Sequence, residues 1–339
     1  MKPRIIPVGT SVRQSEDWQR SLREAVRDSA TLLARLGLSD HPLRQLVDDD
    51  PGFRVLVPEP FLARMTPGDP DDPLLRQVLA TVAERALVPG FGSDPIAESH
   101  YERAPGLLQK YAGRALLLAA TACAVNCRYC FRRSFPYADH QGAAALPEPV
   151  FRALVDDPTL HEVILSGGDP LVLRDEVLAE LVTRLESIPQ LHTLRLHTRL
   201  PVVIPDRVTA GLVAMLTATR LRCVVVVHVN HAREVDDDLA AALGRLRAAG
   251  ATLLNQSVLL RGVNDDVATL QSLSERLFDA QVLPYYLHLL DPVAGAAHFD
   301  VAEAAARALH AELRARLPGY LVPRLVREIP GGSAKTVLA

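Results

Sequence analysis

The chain has 339 residues, 48% of them hydrophobic and 23% charged, with a formal net charge of −3. Such a chain is neither disordered nor fibrous; it can bury a large core and form one sizeable domain with an appendage. Both charge signs are mixed along it, so there is no basic stripe for nucleic acid and no polybasic patch for a membrane surface. Residues 1–9 lack the apolar run of a signal peptide, and no apolar stretch approaches the roughly 20 residues of a membrane span, so a cytoplasmic protein is expected.

Residues 1–100 read as a mostly helical N-terminal appendage and residues 101–339 as the main domain. Ser15 is placed to cap a helix carrying Trp18, Leu22 and Val26 on one face, and a second stripe through Leu32, Leu33 and Leu36 stops at Gly37. A turn-rich connector at 67–73 precedes a predicted helix over 74–83, and a Pro- and Gly-bearing loop at 89–95 leads into the main domain. From about residue 110, short aliphatic, β-branched runs alternate with helical ones, as in βαβ units of a parallel sheet. Six strands are predicted at 115–119, 162–165, 194–197, 223–229, 252–259 and 283–288. Between them lie helical stripes such as Leu178, Leu181, Leu185 and Leu239, Leu243, Leu246. The fold class is therefore α/β, closing as a full or partial barrel.

Active sites of such barrels gather at the carboxyl ends of the strands, and here those ends are polar. The first strand runs into Cys123, Cys127 and Cys130, and the second into Ser166-Gly167-Gly168-Asp169. The third runs into His197-Thr198-Arg199, and the fourth carries His228, Asn230 and His231. The fifth carries Asn255-Gln256-Ser257, and the sixth Tyr286, His288 and Asp291. Three of the four cysteines fall within eight residues. That is no disulfide framework; three thiolates at this spacing suit an iron-sulfur cluster with one iron left open, while a zinc site completed by His140 is the alternative. Cys223, in a run of valines, reads as a small core residue.

Lysine is rare. Of 37 Lys plus Arg, only Lys2, Lys110 and Lys335 are lysine, which leaves 34 arginines. A guanidinium stays protonated, whereas an amine can lose its proton and condense with an aldehyde. Lys335 follows Pro330-Gly331-Gly332 in a small-residue loop, and reads either as such an amine or as a solvated lysine near the chain end.

The Cys-x3-Cys-x2-Cys loop, with Tyr129 before its last cysteine, resembles the radical S-adenosylmethionine (radical SAM) superfamily. Within it, five stretches resemble lysine 2,3-aminomutases: Cys-Arg-Tyr-Cys-Phe-Arg-Arg, Ser-Gly-Gly-Asp-Pro-Leu, Leu-Leu-Asn-Gln-Ser-Val-Leu-Leu-Arg-Gly-Val-Asn-Asp, Pro-Tyr-Tyr-Leu-His-Leu-Leu-Asp and the terminal lysine loop. Residues 67–77 and Cys-Ala-Val-Asn-Cys resemble the branch that serves elongation factor P β-lysylation.

The resemblance implies a partial (β/α)6 TIM-like radical SAM barrel holding a 4Fe-4S cluster, S-adenosylmethionine and pyridoxal 5′-phosphate (PLP). By resemblance, Cys123, Cys127 and Cys130 ligate the cluster, and Gly167, Gly168 and Asp169 receive the S-adenosylmethionine amino group, in a loop that is also a plain strand-to-helix turn. Lys335 carries PLP. Arg132 pairs with the substrate carboxylate, for which a planar fork is suited. Asp291 and Glu328 face its side-chain ammonium, favouring lysine over glutamate, although Glu328 is a methylene longer than the usual aspartate and also suits a structural salt bridge. The chain ends four residues after Lys335, so tail-dependent oligomerisation is not assumed. The implied activity is L-lysine 2,3-aminomutation to β-lysine, with an electron donor and a ligase that attaches the product to elongation factor P. A mutase for glutamate or arginine, or a zinc-stabilised binding module, are the alternatives.

Overall fold

A computed structural model describes residues 11–135 and 145–339 of the protein; His140 lies outside them. Ten strands form one sheet whose spatial order follows the chain. They are β1 (Glu102–Ala104), β2 (Leu107–Leu108), β3 (Arg114–Ala120), β4 (Glu162–Gly167), β5 (Thr193–Thr198), β6 (Arg222–Val227), β7 (Thr252–Val258), β8 (Leu283–His288), β9 (Arg324–Arg327) and β10 (Thr336–Val337). Neighbours from β3 to β9 pair in parallel. β1 and β2 add antiparallel at one edge and β10 at the other. The result is a partial parallel barrel with antiparallel trim.

The six predicted strands are β3 to β8, within two residues at each end. Their aliphatic residues are mostly buried; β5 alternates buried with half-buried positions, and β8 buries only Leu287. Crossover helices such as Asp175–Glu186 and Asp237–Ala248 bury the stripes read from the sequence, Leu178, Leu181 and Leu185 in one and Leu239, Leu243 and Leu246 in the other. The helix Asp237–Ala248 starts at Asp236, whose carboxylate accepts from Leu239 N. Cys223 is buried in the same core.

The N-terminal part differs from expectation in detail. Its first helix begins at Ser11, so Ser15 lies within it, and it ends at Arg23; Val26 instead bridges antiparallel to Val57. The 74–83 run is not one helix. Asp72 caps a single turn at Pro73–Arg76, and Thr81 with Glu84 forms a capping box that starts a separate 3-10 turn at Val82–Arg85. Two competing start signals split the segment and turn Gln77 inward, fully buried. One hydrophobic core runs from Trp18 through the barrel to Val282. The helical N-terminal residues are therefore fastened to the barrel wall.

Candidate active site

A cavity of about 570 Å³ opens at the carboxyl ends of the strands and reaches from the three thiols to Lys335. Pleating decides which rim residues face it, because successive side chains point to opposite sides of a strand. Ser166, His197, His228, Gln256, His288 and Asp291 line the cavity. Asn255 faces away, gripping the Val229 backbone at 2.9 and 3.0 Å. His231 caps a turn by accepting from Arg233 N at 3.2 Å. Asn230 is also off the cavity wall, its Nδ2 donating to the Tyr129 hydroxyl at 2.7 Å and its Oδ1 accepting from Val258 N at 2.8 Å, so three residues of the predicted polar rim are structural.

The cysteine loop leaves β3 and lies against the β4 rim. Gly168 N donates to Ala120 O, and Asp169 N to Ala122 O, both at 2.8 Å. Gly167 has φ +116, and a Cβ there would stand 2.2 Å from Ala120 O; a Cβ on Gly168 would stand 2.2 Å from Ala122 O. Only glycine permits this approach. The Asp169 carboxylate accepts from Leu171 N, Thr198 Oγ1, Arg199 N and Leu200 N at 2.7 to 3.0 Å. It is thus a clamp between the rims of β4 and β5, with its acceptor capacity used within the protein. Burial still raises its pKa, because these hydrogen bonds offset only part of the desolvation.

The arginines interleaved with the cysteines are held by N-terminal carboxylates. Arg128, fully buried, donates to Glu84 through Nε at 2.8 Å and Nη2 at 2.5 Å, and Arg133 also pairs with Glu84. Arg132 donates through Nε and Nη2 to Glu98, both at 2.6 Å, and through Nη1 to Ser166 Oγ and Gly167 O. Glu84, Glu98 and Gln77 are site-building residues that the sequence reading passed over. The capping-box position of Glu84 was a visible signal; for Glu98 and Gln77 there was none.

Burial pushes the Cys130 thiol up to about 11 and raises the Cys123 thiol well above its ordinary value. As bare thiols these two are protonated and inert at neutral pH, and a bound metal must displace their protons. Among the described residues no three His, Cys, Asp or Glu side chains converge on a single metal position. Three thiols gathered in one loop are a donor set that suits a cluster with one iron left open.

The opposite wall is the β9–β10 hairpin. Its register, Thr336 opposite Arg327, places Glu328 and Lys335 at the two ends of one loop. Lys335 Nζ donates to Glu328 Oε2 at 2.6 Å, and Lys110 Nζ to Glu328 Oε1 at 2.5 Å, with the Tyr111 hydroxyl on the same oxygen. Two of the three lysines thus meet on one carboxylate. Burial raises the Glu328 carboxyl, but the charge of Lys335 and hydrogen bonds from Lys110, Lys335 and Tyr111 outweigh it and bring the pKa down to about 2. Asp291 differs. Its carboxylate faces the cavity with no hydrogen bond or ion pair among the described residues, and burial pushes its pKa up to about 7.

Polar atoms without partners among the described residues remain on the wall: His197 Nε2, His288 Nε2 and Arg199 Nε. Burial holds His197 and His288 well below the usual imidazole range, and His228 at about 4. All three imidazoles are therefore neutral near pH 7, each with one nitrogen that donates and one that accepts. The cavity lies within the roughly 300–1,000 Å³ typical of cofactor sites. Thiols at one end, an amine at the other and uncharged polar atoms between them fit the three cofactors that the resemblance implies.

A partial parallel barrel with three thiols at the end of its first core strand defines a radical SAM enzyme. A family model described as a 4Fe-4S single cluster domain matches residues 112–195. The L-lysine 2,3-aminomutase of Escherichia coli (strain K12) is 49% identical over 335 residues, covering 98% of this chain and 97% of that one. That of Haemophilus influenzae is 44% identical over 336 residues, covering 99% of each, and that of Clostridium subterminale 32% over 324, covering 94% and 77%. A solved radical SAM methyltransferase from Sphaerobacter thermophilus matches with a TM-score of 0.46 at 18% identity, over 65% of this chain and 68% of that one. The chain belongs to the L-lysine 2,3-aminomutase family, and it is an isomerase.

Proposed function

We propose that this chain moves the α-amino group of L-lysine to the β-carbon, with a 4Fe-4S cluster on Cys123, Cys127 and Cys130 and PLP on Lys335. The observation that carries this reading is the single cavity that the three thiols and Lys335 share. When bound, the cluster and S-adenosylmethionine supply hydrogen abstraction, and PLP supplies a ring over which the migrating amino group is stabilised. The backbone of Gly167 and Gly168 forms the rim that receives S-adenosylmethionine. Asp169 keeps that rim in place by tying it to the start of β5.

Arg132 lines the cavity as the cation for the substrate carboxylate; in the free protein Glu98 holds its Nε–Nη2 fork, so the substrate would share that guanidinium with Glu98. At the far end Asp291 offers an unpaired anion to the side-chain ammonium. Glu328 holds the Lys335 amine in the free protein and lies beside the position that ammonium takes. An unpaired buried carboxylate repels the glutamate side chain and attracts lysine, which decides between those two substrates.

The product β-lysine serves a ligase acting on elongation factor P, and the cysteine-loop and 67–77 motifs support this reading. An external donor supplies one electron to the cluster. We place the reaction in the cytoplasm; no described helix is long and apolar enough to cross a membrane.

The test is anaerobic incubation of the reconstituted protein with S-adenosylmethionine, dithionite and lysine, glutamate or arginine in parallel. β-Lysine forms from lysine alone and is lost in Cys127→Ala and Lys335→Ala. Fully loaded protein that forms no β-amino acid from any of the three would overturn the reading.

A further inference from the structure

Arg199 follows β5 directly and is buried, with its backbone N–H fixed by Asp169. Its guanidinium is enclosed: Nη2 donates to Gln77 Oε1 at 2.7 Å and to Glu234 Oε2 at 2.9 Å, and the group lies against the rings of Phe61 and Tyr129. Nη1 donates to the Tyr129 hydroxyl at 2.5 Å and to Cys127 Sγ at 2.7 Å. Nε, also buried, has no partner among the described residues. One cation is therefore fixed against one of the three cluster thiols, with an N–H still to satisfy. Nothing in the handling of lysine requires it there.

We propose that Arg199 is a positioning residue for the iron-sulfur cluster, donating a hydrogen bond to the Cys127 thiolate and raising the reduction potential of the cluster. The proposal rests on the reading of Cys123, Cys127 and Cys130 as cluster ligands. Reduction adds one electron to the cluster, and a fixed cation in a low-dielectric site favours that added charge. Hydrogen bonds to ligand sulfurs act in the same direction, and they are among the main controls of cluster potential.

Glu234 keeps the arginine from being an isolated buried charge. Its Oε1 accepts from Gln77 Nε2 and from the backbone N–H groups of Asn230 and His231, so it cannot swing away to follow the guanidinium. Gln77 and Phe61 come from the N-terminal helical part. That part thus reaches the cluster through Arg199 as well as through the Glu84 and Glu98 pairs.

The experiment is a redox titration of the reconstituted protein, followed by the EPR signal of the reduced cluster, for wild type, Arg199→Gln, Arg199→Lys and Tyr129→Phe. In Arg199→Gln the ratio of reduced to oxidised cluster at a fixed potential should fall at least tenfold, a shift of about 59 mV for one electron. Arg199→Lys keeps the charge but loses the fork, so its shift should be smaller and of the same sign. It carries the test if Arg199→Gln takes up no iron. Tyr129→Phe removes a second contact to the same sulfur but keeps the Arg199 charge and its hydrogen bond, so its shift should be clearly smaller than that of Arg199→Gln.

Loaded Arg199 variants with unchanged potentials overturn the inference, as does a Tyr129→Phe shift equal to that of Arg199→Gln. If wild-type protein binds no 4Fe-4S cluster, the cysteine reading fails instead, and iron and sulfide content distinguishes that outcome.

Discussion

Replacing Asp291 with Asn isolates the recognition of the substrate ammonium. In the ligand-free protein burial raises this carboxyl to about 7; Glu328 and Glu98 add to the rise, while Lys335 and Lys110 oppose it. An ammonium ligand needs the ionised form. With a pKa of about 7, the ionised fraction climbs from roughly one in eleven at about pH 6 to roughly ten in eleven at about pH 8, so lysine affinity should rise about tenfold, or about 1.4 kcal/mol, across that interval. Binding near the lower end releases a proton from Asp291.

The sign for folding is opposite. A carboxyl whose pKa is higher folded than unfolded holds its proton more tightly in the native state, so its contribution to stability falls as pH rises from about 4 to about 7. Asp291→Asn should thus cost no stability near neutral pH while weakening lysine binding. The assay is calorimetry on protein loaded with cluster and PLP but without S-adenosylmethionine, comparing lysine with norleucine. Norleucine has the same skeleton and α-amine but lacks the side-chain ammonium, so it corrects for every other titration. If the lysine-to-norleucine affinity ratio in Asp291→Asn still rises about tenfold with pH, Asp291 is not the ammonium's partner.

Two further substitutions test the scaffold. Glu98→Ala leaves Arg132 buried without its carboxylate, a loss of about 3–5 kcal/mol by the usual cost of an orphaned buried charge. It should raise the KM for lysine more than it lowers kcat; an unchanged KM removes Glu98 from the site. Gly168→Ala drives a Cβ to 2.2 Å from Ala122 O. It should cost about 3 kcal/mol or more, lowering the Tm and the iron content together. An alanine variant that takes up iron normally would show that the loop does not depend on this contact.

How much of this was legible follows from where the information resides. The core strands β3 to β8 could be read because short aliphatic, aromatic or alternating runs spaced by helical stripes leave a local signature. β1, β2, β9 and β10 have two to four residues each and are held by pairing with a neighbour, which no local pattern records. The 74–83 helix failed because a run of helix formers was weighed without its two caps. The cysteines and Lys335 stood out by residue type and spacing, Asp291 by its place after the sixth strand and by resemblance, and the cavity brings them together. Glu98 and Gln77 were not, since Glu98 pairs with a residue 34 positions away and Gln77 with Arg199 122 positions away.

That contrast explains why the N-terminal residues should accompany a barrel on which all the expected cofactor ligands lie. The cysteine loop holds Arg128, Arg132 and Arg133 close to three half-buried thiols, and arginines so enclosed need counter-ions. β3 and β4 supply backbone contacts to it but no carboxylate; Glu84 and Glu98 supply the carboxylates from outside the barrel. Gln77 O meanwhile accepts from Arg128 N, and Arg54 O from Asn126 Nδ2, so the loop backbone is tied to the same part. Without these residues three guanidiniums would need solvent, and water would enter a cavity whose neutral histidines and raised Asp291 both depend on its exclusion. The N-terminal helices therefore set the electrostatics of the site, although none of the expected cofactor ligands lies on them.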